Sequence, residues 1–100
     1  MIISDLEGQI WLDGSFCDWK EAKIHVLTHT LHYGTGVFEG VRAYQTESGP
    51  SIFRLEDHTE RLFNSAKLIN MTIPFSFDEL LDAQKESVRK NKLKNAYIRP

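Results

Sequence analysis

The stretch Thr28-His29-Thr30-Leu31-His32-Tyr33-Gly34-Thr35-Gly36-Val37-Phe38-Glu39-Gly40-Val41-Arg42 decides how the rest of this 100-residue chain is read. Three glycines stand in it among bulky and ionisable side chains. Glycine permits positive φ and lets backbone approach a ligand or another chain closely. It also weakens strands, so a purely structural strand seldom carries so many. The stretch reads as a tight turn running into a strand that lines a site. From Val37 onward a period of two sends side chains to alternate faces. Val37, Glu39, Val41 and Ala43 share one face, and Phe38, Gly40, Arg42 and Tyr44 the other. The second face offers an aromatic wall, a gap, a cation and another aromatic, which suits a small amphipathic ligand with an anionic group. It suits equally well a half-buried strand with a snorkelling arginine.

Working outward, Gln9 to Phe16 reads as a hairpin turning on Asp13-Gly14, a strong short-range hairpin signal. Asp18 to Ala22 reads as a turn or short helical turn, and Ile24 to Leu27 as a short strand. The central strand is expected over Gly36–Gln45, with a turn at Glu47–Pro50 and a returning strand over Ser51–Arg54. A helix is expected from Leu55 to about Met71, its inner stripe Leu55, Leu62, Ala66 and Ile69. Glu56 and Asp57 fall in its first turn, where the helix dipole favours acids. A second helix starts at Ser76, which forms a capping box with Glu79; Phe75 and Leu80 are spaced as a staple. Phe77, Leu80, Leu81, Gln84 and Val88 make its inner stripe. Asn91–Asn95 is the exit, and Ala96–Arg99 a last strand. Strands, two helices and a strand point to an α+β layer.

Composition sets bounds. A hydrophobic share of 41% and a charged share of 26% describe an ordinary globular chain of one domain. Twelve basic against fourteen acidic residues, net −2, give no nucleic-acid or membrane surface. No apolar run approaches the roughly 18 residues of a membrane span. The first residues lack the basic region of a signal peptide. The single Cys17 fits a reducing, cytoplasmic setting. The last residues, Ala96-Tyr97-Ile98-Arg99-Pro100, read as mid-strand, as expected for the front part of a longer protein.

Four groups could carry chemistry. His25, His29 and His32 are spaced as a helical metal face. Helical character is poor there and no carboxylate stands at ligand spacing, so packing or hydrogen bonding is expected and no metal. Arg61 follows Asp57 by four residues, as an exposed ion pair would, or holds its guanidinium fork for a phosphate. Tyr97 and Arg99 share a strand face and either present a phenol and a cation to a carboxylate or form a surface pair. Asn70-Met71-Thr72 is formally a glycosylation acceptor, incidental without a secretion signal.

The segment Leu31 to Tyr44, centred on Tyr33-Gly34 and Phe38-Glu39-Gly40-Val41-Arg42, closely resembles the amino-terminal domain of branched-chain amino acid aminotransferases, pyridoxal-phosphate enzymes of fold type IV. Ile10-Trp11-Leu12-Asp13-Gly14, Trp19 with Ala22-Lys23, Phe53-Arg54 with His58 and Arg61-Leu62, Ser65-Ala66-Lys67 and Ala96 to Pro100 agree in order. D-amino acid aminotransferases and aminodeoxychorismate lyases share the Tyr-Gly core and are the alternative, as is a non-catalytic dimerising module.

The resemblance implies a mainly antiparallel sheet packed against two helices. It implies that residues 1–100 are a small amino-terminal domain, with a lysine-bearing second domain beyond. It assigns Arg61 to the cofactor phosphate. Phe38, Gly40 and Tyr97 would line the pocket for an apolar side chain, and Tyr33 would reach the neighbouring subunit's pocket. Arg99, with Tyr33 and Tyr97, would bind the side-chain carboxylate of glutamate, supported by Arg42. The implied reaction moves an amino group from leucine, isoleucine or valine to 2-oxoglutarate, in a homodimer or larger homo-oligomer. The Schiff-base lysine has no match among Lys20, Lys23, Lys67, Lys85, Lys90, Lys92 and Lys94, so no catalytic residue is assigned and the chain alone is expected to be inactive. A surface normally covered by a second domain would leave an exposed apolar patch.

Overall fold

Asp13 and Gly14 both take positive φ, 51° and 97°, as a two-residue hairpin turn of type I′ demands. In the computed structural model, which describes residues 6–100, they join β1 (Gln9–Leu12) to β2 (Ser15–Asp18). Gln9 faces Asp18 and Leu12 faces Ser15 in this two-stranded sheet. A 3₁₀ turn over Trp19–Glu21 follows, in agreement with the short helical turn expected there.

Residues 24–27 do not form the expected strand. Neighbouring side chains take up their backbone groups instead: Leu27 N–H donates to His25 Nδ1 at 3.0 Å, and His32 Nε2 donates to the Val26 carbonyl at 2.6 Å. Such local bonds compete with a sheet ladder. The same histidine helps seat α1 (His29–Tyr33), a single helical turn in a region whose residues argued against helix. Gly34, in the left-handed conformation at φ 67°, closes it.

The central strand is shorter than Gly36–Gln45. Its ladder, β3 (Val41–Thr46), starts at Val41 because β5 (Ala96–Ile98) reaches only to Ile98 opposite it. One further bond, Glu39 N–H to the Pro100 carbonyl at 3.1 Å, extends the pairing toward the glycines. The alternation of faces holds: Glu39, Val41 and Ala43 are buried, while Phe38, Arg42 and Tyr44 are exposed. β4 (Gly49–Ile52) begins two residues earlier than Ser51. The turn needs only Glu47-Ser48, so Gly49 and Pro50 pair with Thr46 and Gln45. Pro50 is tolerated because β4 is an edge strand. The sheet runs β4-β3-β5, antiparallel throughout.

Two helices cover the sheet, α2 (Leu55–Leu68) and α3 (Phe77–Lys90). Val41, Leu55 and Leu81 form the core, with Ile52, Phe77 and Ile98 packed around them. The expected α+β layer is therefore the fold. α2 buries Leu55, Thr59, Leu62 and Ala66. It stops before Met71, and Ile69 falls outside its stripe. Asn70, at φ 55°, closes the helix with its N–H on the Lys67 carbonyl, while Met71 N–H reaches Ala66 O at 2.9 Å. α3 ends the same way around Lys92, at φ 52°. Between the helices, Gln84 Nε2 donates to Thr59 Oγ1 at 2.9 Å and to the Leu80 carbonyl at 3.0 Å.

Asn91, the residue capping α3, fastens the hairpin to the helix layer. Its Oδ1 accepts from Gln9 N–H at 2.8 Å and its Nδ2 donates to Gln9 O at 3.0 Å. Trp11 and Phe75 meet edge to face at 4.9 Å beside this contact. No helix among the described residues is long and apolar enough to cross a membrane.

The capping box of α3 is formed as its spacing predicts: Glu79 N–H donates to Ser76 Oγ at 3.1 Å and Ser76 N–H to Glu79 Oε2 at 2.7 Å. Ser76→Ala is expected to cost about 1 kcal/mol, lowering the unfolding midpoint by roughly 4–8 °C in a domain of this size. Thermal unfolding followed by circular dichroism checks this; an unchanged midpoint removes the cap from the list of stabilising contacts.

Candidate functional site

The carboxylate of Glu39 is only 6% exposed, on the apolar side of the strand beside Val41 and Ala43. A buried carboxylate is costly unless donors surround it. α2 supplies them from positions three apart on one helix face. Arg61 Nε donates to Glu39 Oε2 at 2.7 Å and Arg61 Nη2 to Oε1 at 2.8 Å, a bidentate fork. His58 Nδ1 donates to the same Oε1 at 2.8 Å. The Arg61 bonds above all, against burial and with help from His58, hold the Glu39 carboxyl down at about 2. Glu39 in turn pushes the Arg61 guanidinium upward, so it stays charged.

Arg61 is thus not the exposed partner of Asp57, which pairs instead with Arg54 at 2.8 Å. The side chain of Arg61 is nonetheless 68% exposed. One edge of its guanidinium grips Glu39, and the other is left for solvent or a ligand. Among the described residues, Arg61 Nη1 has no hydrogen-bond partner.

On the exposed side of the same strand the second cluster assembles. Arg42 and Tyr97 lie opposite each other across β3 and β5, the Arg42 Cζ 5.6 Å from the Tyr97 ring centre. Arg99 Cζ stands 4.4 Å over the Phe38 ring and 5.2 Å from that of Tyr97. Arg99 Nη2 also donates to the Tyr97 hydroxyl at 3.1 Å. The aromatic faces stabilise the cation without neutralising it. Gly40 makes the cluster possible, because a Cβ there would overlap the Tyr97 hydroxyl. Five of the seven expected site residues, Phe38, Gly40, Arg42, Tyr97 and Arg99, therefore come together as one surface. Arg61 flanks the strand from its buried side.

Tyr33 is not part of either group. The residue is 74% exposed, and its ring packs edge-on against His29 at 5.4 Å and near His32. The segment leading to it also exposes Ile24, Val26, Leu27 and Leu31, an apolar arc of the kind expected for a covered surface. His25 and His32 are engaged in the local bonds described above. No group of three or more metal-ligating side chains occurs among the described residues.

Tyr97 and Arg99 also border an apolar cleft of about 690 Å³ walled by Trp11, Leu62, Phe75 and Ile98. A cleft of about 730 Å³ between β4, α2 and α3 contains none of the expected site residues.

Glu39 and His58 are the members that the sequence reading left without a role. The signal was present: an acid in phase with Val41 and Ala43 on an inward face requires a cation nearby. Because the folded carboxyl titrates near 2 rather than at its ordinary 4.5, its contribution to stability is complete above about pH 4.5. It is lost as pH falls toward 2. Denaturant unfolding in steps from pH 5 to pH 2 should therefore show a steeper acid loss for the natural chain than for Glu39→Gln. Parallel curves would rule this out.

Comparison with known proteins gives these clusters a setting. The family model for amino-transferase class IV matches residues 36–100. The chain is 58% identical over its whole length to the branched-chain-amino-acid aminotransferase of Pseudomonas aeruginosa, of which it covers 33%. To the branched-chain-amino-acid aminotransferase of Escherichia coli it is 48% identical over 91 residues, 91% of this chain and 29% of that one. Among solved structures it superposes, with a TM-score of 0.91 and 54% identity, on a branched-chain amino acid aminotransferase complexed with N-(5'-phosphopyridoxyl)-L-glutamate, covering 94% of this chain and 32% of that one. A branched-chain amino acid aminotransferase of the same source, complexed with 4-methylvaleric acid, matches at a TM-score of 0.91 and 55% identity, over 93% of this chain and 31% of that one. The chain thus spans about a third of the length of the relatives it matches. With the matched segment running from Gly36 through both clusters to Pro100, the chain belongs to the class IV aminotransferases.

Proposed function

We propose that this chain is the small, amino-terminal domain of a branched-chain amino acid aminotransferase, contributing the substrate pocket wall and a cofactor-phosphate ligand. The observation that carries the reading is the Phe38–Tyr97–Arg99 arrangement: an uncompensated cation laid on aromatic faces. Such a wall can meet an apolar side chain with its rings and a carboxylate with its guanidinium. That is the requirement for one pocket to take leucine, isoleucine, valine and glutamate. The two complexes of the structural relative, one with a phosphopyridoxyl-glutamate and one with a branched apolar acid, support it.

The residues fit pyridoxal phosphate. The exposed Arg61, charged and held on one edge, has the free donors that a phosphate needs. When bound, that cofactor supplies the electron sink for amino transfer to 2-oxoglutarate. The chain's own part is binding and orientation. Arg61 anchors the phosphate; Phe38, Gly40 and Tyr97 shape the side-chain pocket; Arg42 and Arg99 provide the positive potential that draws a dicarboxylate. Tyr33 and the apolar arc before it support a homodimer or larger homo-oligomer, with Tyr33 reaching a neighbour's pocket. The reactive lysine is assigned to sequence beyond Pro100, in keeping with relatives three times as long. A cytoplasmic setting accords with the one unpaired cysteine.

The full-length enzyme should transaminate leucine, isoleucine and valine but not D-alanine, and should not convert aminodeoxychorismate. Turnover on either of the last two in preference to leucine would assign it to a sister enzyme. Arg99→Ala should raise KM for 2-oxoglutarate about 10- to 100-fold, as expected for losing a charge-assisted contact, with KM for leucine little changed. Steady-state kinetics with both partners decides this; equal losses for both would remove the discriminating role. Residues 1–100 expressed alone should show no turnover.

A further inference from the structure

The guanidinium of arginine carries five N–H donors. In Arg61, one on Nε and one on Nη2 are committed to Glu39. Three remain: one on Nη1 and one on Nη2 form the distal edge, and the second on Nη1 lies on the side away from Glu39. A long, exposed side chain ordinarily spreads over many rotamers, and an anion must collect it into one. Here that ordering is done in advance. Glu39 is held by its own N–H on Pro100 O, and His58 Nδ1 locks the carboxylate from α2.

We infer that Glu39, steadied by His58, is a positioning residue that presents the free edge of Arg61 to the phosphate of the cofactor. The inference rests on the proposed role of Arg61. Two effects of Glu39 oppose each other. Its charge repels a phosphate, and its grip orients the arginine. Both carboxylate oxygens accept hydrogen bonds, two at Oε1 and one at Oε2, and the repulsion acts across the width of the guanidinium. The grip fixes the whole side chain. Orientation therefore outweighs repulsion.

Equilibrium titration of the full-length apoenzyme with pyridoxal phosphate, and in parallel with pyridoxal lacking the phosphate, tests this without recourse to turnover. Arg61→Ala should weaken pyridoxal phosphate binding by about 50-fold and leave pyridoxal binding unchanged, as for loss of a charge-assisted phosphate contact. Glu39→Gln should weaken pyridoxal phosphate by about tenfold, the scale of losing a partner that orients a ligating group, again without touching pyridoxal. In the Arg61→Ala background, Glu39→Gln should add nothing, because it acts only through that arginine. His58→Asn, whose amide can replace the Nδ1 donor, should retain affinity that His58→Leu loses. These two variants carry the test if Glu39→Gln fails to fold.

Tighter or unchanged phosphate binding in Glu39→Gln, with Arg61→Ala still weakened, overturns the inference and leaves the role of Arg61 standing. Equal weakening of both ligands, or additive effects in the double variant, overturns it in favour of a general loss of structure. Full phosphate affinity in Arg61→Ala overturns the underlying assignment itself, and the inference with it.

Discussion

An ionised carboxylate shielded from water must be met by enough donors to replace its hydration. Glu39 poses that demand at the point where the glycine-rich segment becomes the central strand. The demand is answered from α2, by residues that stand on one face only because Leu55 to Leu68 is helical. Strand and helix are thereby keyed to each other by charge as well as by the apolar contacts of Val41 with Leu55. Slipping the strand by one residue would put Phe38 where the acid sits and leave the Arg61 guanidinium and the His58 donor unanswered. The bond from Glu39 N–H to Pro100 O ties the residue two beyond β5 into the same knot.

Cations are handled differently on the two sides of the strand. On the inner side Arg61 is matched to a carboxylate with short, directed bonds. On the outer side Arg99 is matched only to ring faces and a phenol. Ring faces lower the energy of a guanidinium by about 0.5–1 kcal/mol at an exposed site, too little to stop it from choosing an anion when one arrives. A fixed cation and an available one thus stand on opposite sides of one strand.

Much of this was legible in the residues. The hairpin at Asp13-Gly14, the capping box at Ser76 and the alternation that buries Glu39, Val41 and Ala43 follow from local chemistry, which a sequence displays directly. The convergence of Phe38, Gly40, Arg42, Tyr97 and Arg99 was also anticipated, by resemblance more than by pattern. What the residues concealed depends on partners distant in the chain. The ladder of β3 begins at Val41 because β5 is short. Residues 24–27 leave the sheet because histidines take their backbone groups. Asn70, formally a glycosylation acceptor, closes α2 in a left-handed turn that stops the helix short of Ile69. The partner of Arg61 lay 22 residues away, just before β3, whereas helical spacing drew attention to Asp57, four residues back.

The side chain of Asn91 treats Gln9 as a neighbouring strand would, bonding both its N–H and its carbonyl across 82 residues of sequence. That separation has a temporal meaning. The ribosome releases the hairpin first, yet its mooring is among the last parts of this layer to emerge, so Trp11 and its neighbours must wait without their packing partners while two helices are made. Loop closure over such a span is slow relative to forming a helix. The hairpin is accordingly finished late, and assembly of this layer is gated by residues that a nascent chain has yet to receive.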